Sequence, residues 1–142
     1  MMSSTDWRNL EVALDRLIPA VDVLPGAGAM GLLPEIRRMT AGHARYADCL
    51  GWFGAALAGF SDFSVLDGEG QDETIAAIEG ANSADFGLLL ELVYLAYYSR
   101  PDVHARIGWR SGPLQPQGFE LPPFDASSVD AIRQRPPFWR KV

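Results

Sequence analysis

The sequence predicts an all-α protein: a compact helical domain of about five helices over residues 1–108, then a proline-rich extended C-terminal arm over 109–142. Three observations lead there. Apolar residues recur at helical spacing in one segment after another. No segment alternates apolar and polar residues as a half-buried strand would, and no internal repeat is visible. Most of the prolines fall after Gly108. With 142 residues, 48% of them hydrophobic and 21% charged, the chain is one domain's worth of globular sequence, long enough to bury a real core.

The elements follow in order. From Thr5, a Ser/Thr-type N-cap, residues Trp7, Leu10, Leu14, Leu17 and Ile18 form one apolar stripe that Pro19 ends. After a loop through Pro25, Pro34 suits an early position of a helix carrying Ile36 and Met39, with Gly42 to close it. Tyr46, Leu50, Phe53, Leu57 and Phe60 mark a third helix, and Gly51, Ala55 and Gly59 give it a smooth second face on which another helix is expected to rest. "DGEGQDETIAAIEG" reads as a short helix whose acids favour the positive end of its dipole, with Ile75 and Ile78 inward. Ser83 is the expected cap of "ADFGLLLELVYLAYYSR". One stripe there is Phe86, Leu89, Leu90, Val93, Tyr94 and Tyr97, and a second is Leu88, Leu92 and Leu95. A helix apolar nearly all round belongs between two surfaces, deep in the domain or between the domain and a partner. Pro101 begins one further turn.

The arm keeps Trp109, Leu114, Phe119, Leu121, Phe124, Phe138 and Trp139, which a solvated linker has no need of. Extended, its ~34 residues reach roughly 110 Å, against a radius of gyration of ~13 Å for a compact domain of ~108 residues. Two dispositions are open: it wraps its own helices, or it docks on another protein.

Charge and residue chemistry exclude several functions. A net charge of -6 and a pI near 4.8 leave no basic face for a nucleic-acid backbone. The one cysteine, Cys49, cannot form an internal disulfide. No Cys/His quartet for zinc is present, and no metal ligand set is expected. The longest apolar run, residues 50–60, is far shorter than the ~20 residues that span a bilayer.

The loop "PGAGAMG" places Gly26, Gly28 and Gly31 in the G-x-G-x-x-G spacing of a dinucleotide site. That site needs a buried strand before it and a parallel strand about 30 residues on. Only "VDVL" is available as the first, and Asp48, the acid at about the right distance, sits in a helical pattern. The expected role is a tight loop leading into a helix. "DGEGQDE" fails as a calcium loop: counted from Asp67, its sixth residue is Asp72 and its twelfth Ile78. His43 and His104 have no spaced partner for acid–base work. Cys49 lies beside an apolar stripe, where a thiol is buried and inert.

Together, "LIPAVDVLPGAGAMGLLPEI", "FSVLDGEGQDETIAAIE" and above all "FGLLLELVYLAYYSRPDVHARIGW", followed by the proline-rich arm, resemble the gluconate 2-dehydrogenase subunit 3 family. These are small, cofactor-free partner chains of flavin oxidoreductases of the glucose-methanol-choline class. The resemblance implies a non-catalytic subunit that binds and stabilises a larger FAD-dependent sugar or alcohol dehydrogenase or oxidase. FAD would then sit in the partner, and no catalytic, cofactor-binding or metal residue in this chain. The expected partner face is Tyr94, Tyr97, Tyr98, Trp109, Leu114, Phe119, Leu121, Phe124, Phe138 and Trp139. Many members of that family begin with a twin-arginine export signal, whereas here Arg37 and Arg38 are mid-sequence and the first residues are acidic and polar. The chain as written is expected in the cytoplasm, and in the periplasm if an export signal was removed or is supplied by the partner. Two other functions are open from the residues alone: a stand-alone helical enzyme or ligand-binding module with a cleft near Tyr97, Tyr98, His104 and Trp109, or a homodimer that buries the same apolar face.

Overall fold

A computed structural model describes residues 4–60, 63–110, 112–113, 115, 117–121 and 123–136. Seven helices account for the regular structure among the described residues: α1 Ser4–Leu17, α2 Leu33–Thr40, α3 Ala44–Ala58, α4 Gly68–Ala81, α5 Ser83–Tyr98, α6 Pro101–Arg106 and α7 Ala126–Arg133, with a 3-10 turn at Phe63–Val65. No strand occurs among the described residues, so the all-α class holds. The chain divides into two units, residues 1–111 and 112–142.

In the first unit α3 is the central element, packed by α1, α2, α4 and α5. Of its predicted stripe Leu50, Phe53 and Leu57 are buried, together with Cys49, while Tyr46 is half-buried and Phe60, past the end of the helix, is exposed. Phe53 meets Phe86 of α5 edge to face at 6.1 Å between ring centroids, a geometry in which aromatic quadrupoles attract. Leu10, Ala13 and Leu14 of α1, Leu33 and Ile36 of α2, and Ile75 and Ile78 of α4 complete the core.

The smooth face of α3 departs from expectation. Gly51, Ala55 and Gly59 look into solvent, and a Cβ added at Gly51 would meet nothing within 4 Å. The neighbouring helices all gather on the stripe of larger side chains, where each contact buries more apolar area.

Helix ends show how local chemistry sets the boundaries. α1 begins one residue earlier than expected, so Thr5 lies inside the helix. The Asp67 carboxylate accepts from the Gly70 amide at 2.9 Å and caps α4, which uses the first acid of "DGEGQDE" structurally. That helix runs 14 residues, longer than its sequence implied. Asn82 rather than Ser83 caps α5: its side-chain oxygen accepts from the Asp85 amide at 3.2 Å, and its own amide donates to the Asp85 carboxylate. Because Asn82 also closes α4, the two helices meet at a single residue.

The G-x-G-x-x-G loop is a packing device. "VDVL" forms a tight turn, not a strand: Val21 and Leu24 exchange backbone hydrogen bonds of 3.0 and 2.9 Å around Asp22, whose φ is 51°. Gly26, Ala27 and Gly28 then press against α1, where the Asp15 carboxylate accepts from the Ala29 amide at 3.0 Å. A Cβ on Gly28 would lie 1.9 Å from the Glu11 carbonyl oxygen, and Gly31 turns the chain into α2 at φ 74°. The Arg106 guanidinium pairs with Asp22 and the Arg16 guanidinium with Asp72, tying this loop to α6 and α1 to α4.

In the second unit, eight residues of the segment expected as an extended arm are helical. Asp125 accepts from the Ser127 amide at 2.9 Å and its hydroxyl at 2.8 Å, and so starts α7. Phe119, Leu121 and Phe124 of this unit are exposed. Leu114, Phe138 and Trp139 lie outside the described residues. No helix among the described residues is long and apolar enough to cross a membrane.

Candidate functional site

A helix as apolar as α5 cannot bury every face against one small core, and its surplus builds the site. Phe86, Leu89, Leu92, Val93, Ala96 and Tyr97 face inward. On the other side Tyr94, Leu95 and Tyr98 stand 45%, 47% and 53% exposed. The rings of Tyr94 and Tyr98 lie 6.4 Å apart, and Tyr98 meets Tyr97 edge to face at 5.3 Å. Between them Glu91, Tyr94, Leu95, Tyr98 and Ser99 line a shallow cavity of about 430 Å³ whose walls are mostly apolar.

A second cavity, of about 860 Å³, shares Glu91 and Leu95 with the first and extends along α5 toward the α2–α3 corner. Arg38, Met39, His43, Arg45, Tyr46 and Leu88 contribute to its lining. The Tyr46 hydroxyl donates to Glu91 Oε1 at 2.6 Å, and this bond, then partial desolvation and the Glu91 charge, hold the phenol above its usual pKa. Tyr46 therefore stays a protonated donor. His43 sets its ring against Tyr46 at 5.6 Å. Arg38 is engaged by Glu35 through two bonds of 2.9 and 2.5 Å, which pull Glu35 below the usual carboxylate range.

At the far end of α5, His104 Nε2 is hydrogen-bonded to the Tyr98 carbonyl oxygen, and the Trp109 amide donates to the His104 carbonyl at 2.8 Å. The imidazole and indole centroids are 6.4 Å apart. Of the group expected around a cleft, Tyr98, His104 and Trp109 are linked here, while the Tyr97 side chain turns into the core. The histidine fastens α6 to the last turn of α5, which is a turn-anchoring role. Cys49 is buried, and desolvation raises its thiol pKa, leaving it a poor nucleophile. Among the described residues no three His, Cys, Asp or Glu side chains gather as metal ligands.

Of the residues expected on a partner face, Tyr94, Tyr98 and Trp109 are exposed in the first unit and Phe119, Leu121 and Phe124 in the second. Tyr97 is corrected to the core: it is 7% exposed, because helical spacing from Phe86, Leu89 and Val93 brings it to the inner face.

Searches of family models, curated proteins and solved structures find no match to this chain. Sequence reasoning passed over Leu95, Glu91, Tyr46, His43 and Arg45 as parts of one surface. A signal was present: Glu91 is the lone charged side chain between Phe86 and Tyr98. A carboxylate there marks the side of α5 that meets water.

Proposed function

We propose that this chain is a non-catalytic subunit that docks on a larger protein through the tyrosine face of α5. On the resemblance of its three sequence blocks and arm to the gluconate 2-dehydrogenase subunit 3 family, that protein is an FAD-dependent sugar or alcohol dehydrogenase or oxidase. The observation that carries the reading is the contiguous exposed face of Tyr94, Leu95 and Tyr98 on a helix whose opposite side is buried in the core. Tyrosines suit such a role, since each offers a large rigid apolar area and a hydroxyl that tolerates water in the free chain. Trp109, Phe119, Leu121 and Phe124 add exposed apolar side chains of the kind that anchor interfaces. A stable complex would bury ~1,200 Å² or more. The flavin and the chemistry reside in the partner, and this chain contributes surface.

The test is to tag the chain in its native cell, purify it gently, and record the absorption spectrum and stoichiometry of what accompanies it. A larger companion with a flavin spectrum in fixed ratio is expected. A colourless chain eluting alone as a stable monomer would overturn the proposal.

A further inference from the structure

The larger cavity is not accounted for by docking through the tyrosine face, and its lining has a chemistry of its own. Its volume, about 860 Å³, is within the range that receives small molecules. Met39, Leu88 and Leu95 supply an apolar wall, while the corner between α2 and α3 supplies His43 and Arg45. The polar groups divide into those already engaged and those that are not. Arg38 is held by Glu35, and the Tyr46 hydroxyl is committed to Glu91. The Arg45 guanidinium has no hydrogen-bond or ion-pair partner among the described residues, and the His43 imidazole has none beyond its ring contact with Tyr46. In a chain of net charge -6, a corner with a guanidinium in no ion pair among the described residues, an imidazole and an apolar wall is a specific combination.

The geometry points to this cavity as a binding site for a small monocarboxylate with an apolar body. The carboxylate would meet Arg45 and His43, and the body would lie over Met39, Leu88 and Leu95. Glu91 sets the orientation, because its charge repels the carboxylate from the opposite end while Tyr46 holds it in place. A guanidinium matches a carboxylate with paired donors, which an alcohol cannot accept in the same way. The site borders the docking face and shares Leu95 with it, but uses neither Tyr94 nor Tyr98, so a titration of the free chain tests it separately.

The experiment is an amide-resolved NMR titration of the full chain with 4-phenylbutyrate, 4-phenylbutan-1-ol and 4-phenylbutylamine. Shifts from the acid are expected to cluster at residues 42–46 and 88–95, with the alcohol binding about tenfold more weakly and the amine weaker still, the loss expected for one charge-assisted hydrogen bond. Arg45→Ala, at an exposed position that leaves the core untouched, should weaken the acid about tenfold and leave the alcohol unchanged. Glu91→Gln should tighten the acid. Equal binding of acid and alcohol, preference for the amine, shifts located elsewhere, or no binding of the acid would each overturn the assignment, and the comparison among probes does so even if a variant fails to fold.

Discussion

Substituting Gly28 by alanine tests whether the G-x-G-x-x-G loop is there to let the backbone approach α1. The added Cβ would lie 1.9 Å from the Glu11 carbonyl oxygen and 2.7 Å from its carbon, both backbone atoms of α1. A carbon and an oxygen in close contact sit about 3.3 Å apart, so the loop or the helix has to move by more than an ångström. Neither moves cheaply. The neighbouring Ala27 is fully buried, and Asp15 of α1 holds the Ala29 amide. Overpacking of a fixed core costs about 1–3 kcal/mol, and a clash of backbone on backbone belongs at the upper end, about 3 kcal/mol. For a domain of this size that lowers the melting temperature by on the order of 10 °C or more. Gly51→Ala is the control: its Cβ meets nothing, and replacing an exposed mid-helix glycine should stabilise by about 0.5–1 kcal/mol. Urea denaturation followed by far-ultraviolet circular dichroism measures both. If Gly28→Ala unfolds at the same urea concentration as the parent, the packing explanation of this motif is wrong.

Four further outcomes are expected. Tyr94→Ser and Tyr98→Ser should leave the melting curve nearly unchanged, since both rings are about half exposed, yet weaken capture of the partner by about 30-fold each if they are interface hot spots, as read by pull-down at graded concentration. Truncation after Gly112 should keep the helical spectrum of the first unit, because the core residues described there end at Val103, but reduce partner capture severely. Asp72 is held below its ordinary 3.8 chiefly by its hydrogen bond from Arg16, so the bridge contributes above that pH and is lost as pH falls through the lower folded value. Asp72→Asn should therefore be less stable than the parent at neutral pH and converge with it in acid, a difference visible in midpoints measured across pH. Cys49 should react slowly with a thiol reagent in the native protein and at the rate of a free thiol in urea, because burial both blocks access and raises its pKa.

The helical class, the order of the elements and most of the core were legible in the sequence, because each rests on a local regularity. Leu50, Phe53 and Leu57 recur at helical spacing and are buried, and Pro34 and Pro101 stand at helix starts because neither position requires a backbone donor. The failure of the dinucleotide motif was legible too, since "VDVL" is too short and too interrupted by Asp22 to be a buried strand. Capping was read one residue off at Ser83, where two adjacent polar residues compete and the geometry of the α4–α5 corner chose Asn82. α7 was missed because it is only eight residues long and sits among prolines.

What the sequence by itself determined is which segments are helices and which side chains are apolar enough to seek burial, since both follow from the chain's own periodicity. Only the tertiary structure decided which face of each helix was used. α5 had two apolar stripes, and the packing divided both: Phe86, Leu89, Val93 and Tyr97 of one and Leu92 of the other are buried, while Tyr94 of the first and Leu95 of the second stay in solvent. The same packing brought Tyr46 to Glu91, a pair 45 residues apart. Such pairings depend on where neighbours arrive, and a one-dimensional pattern holds no record of that.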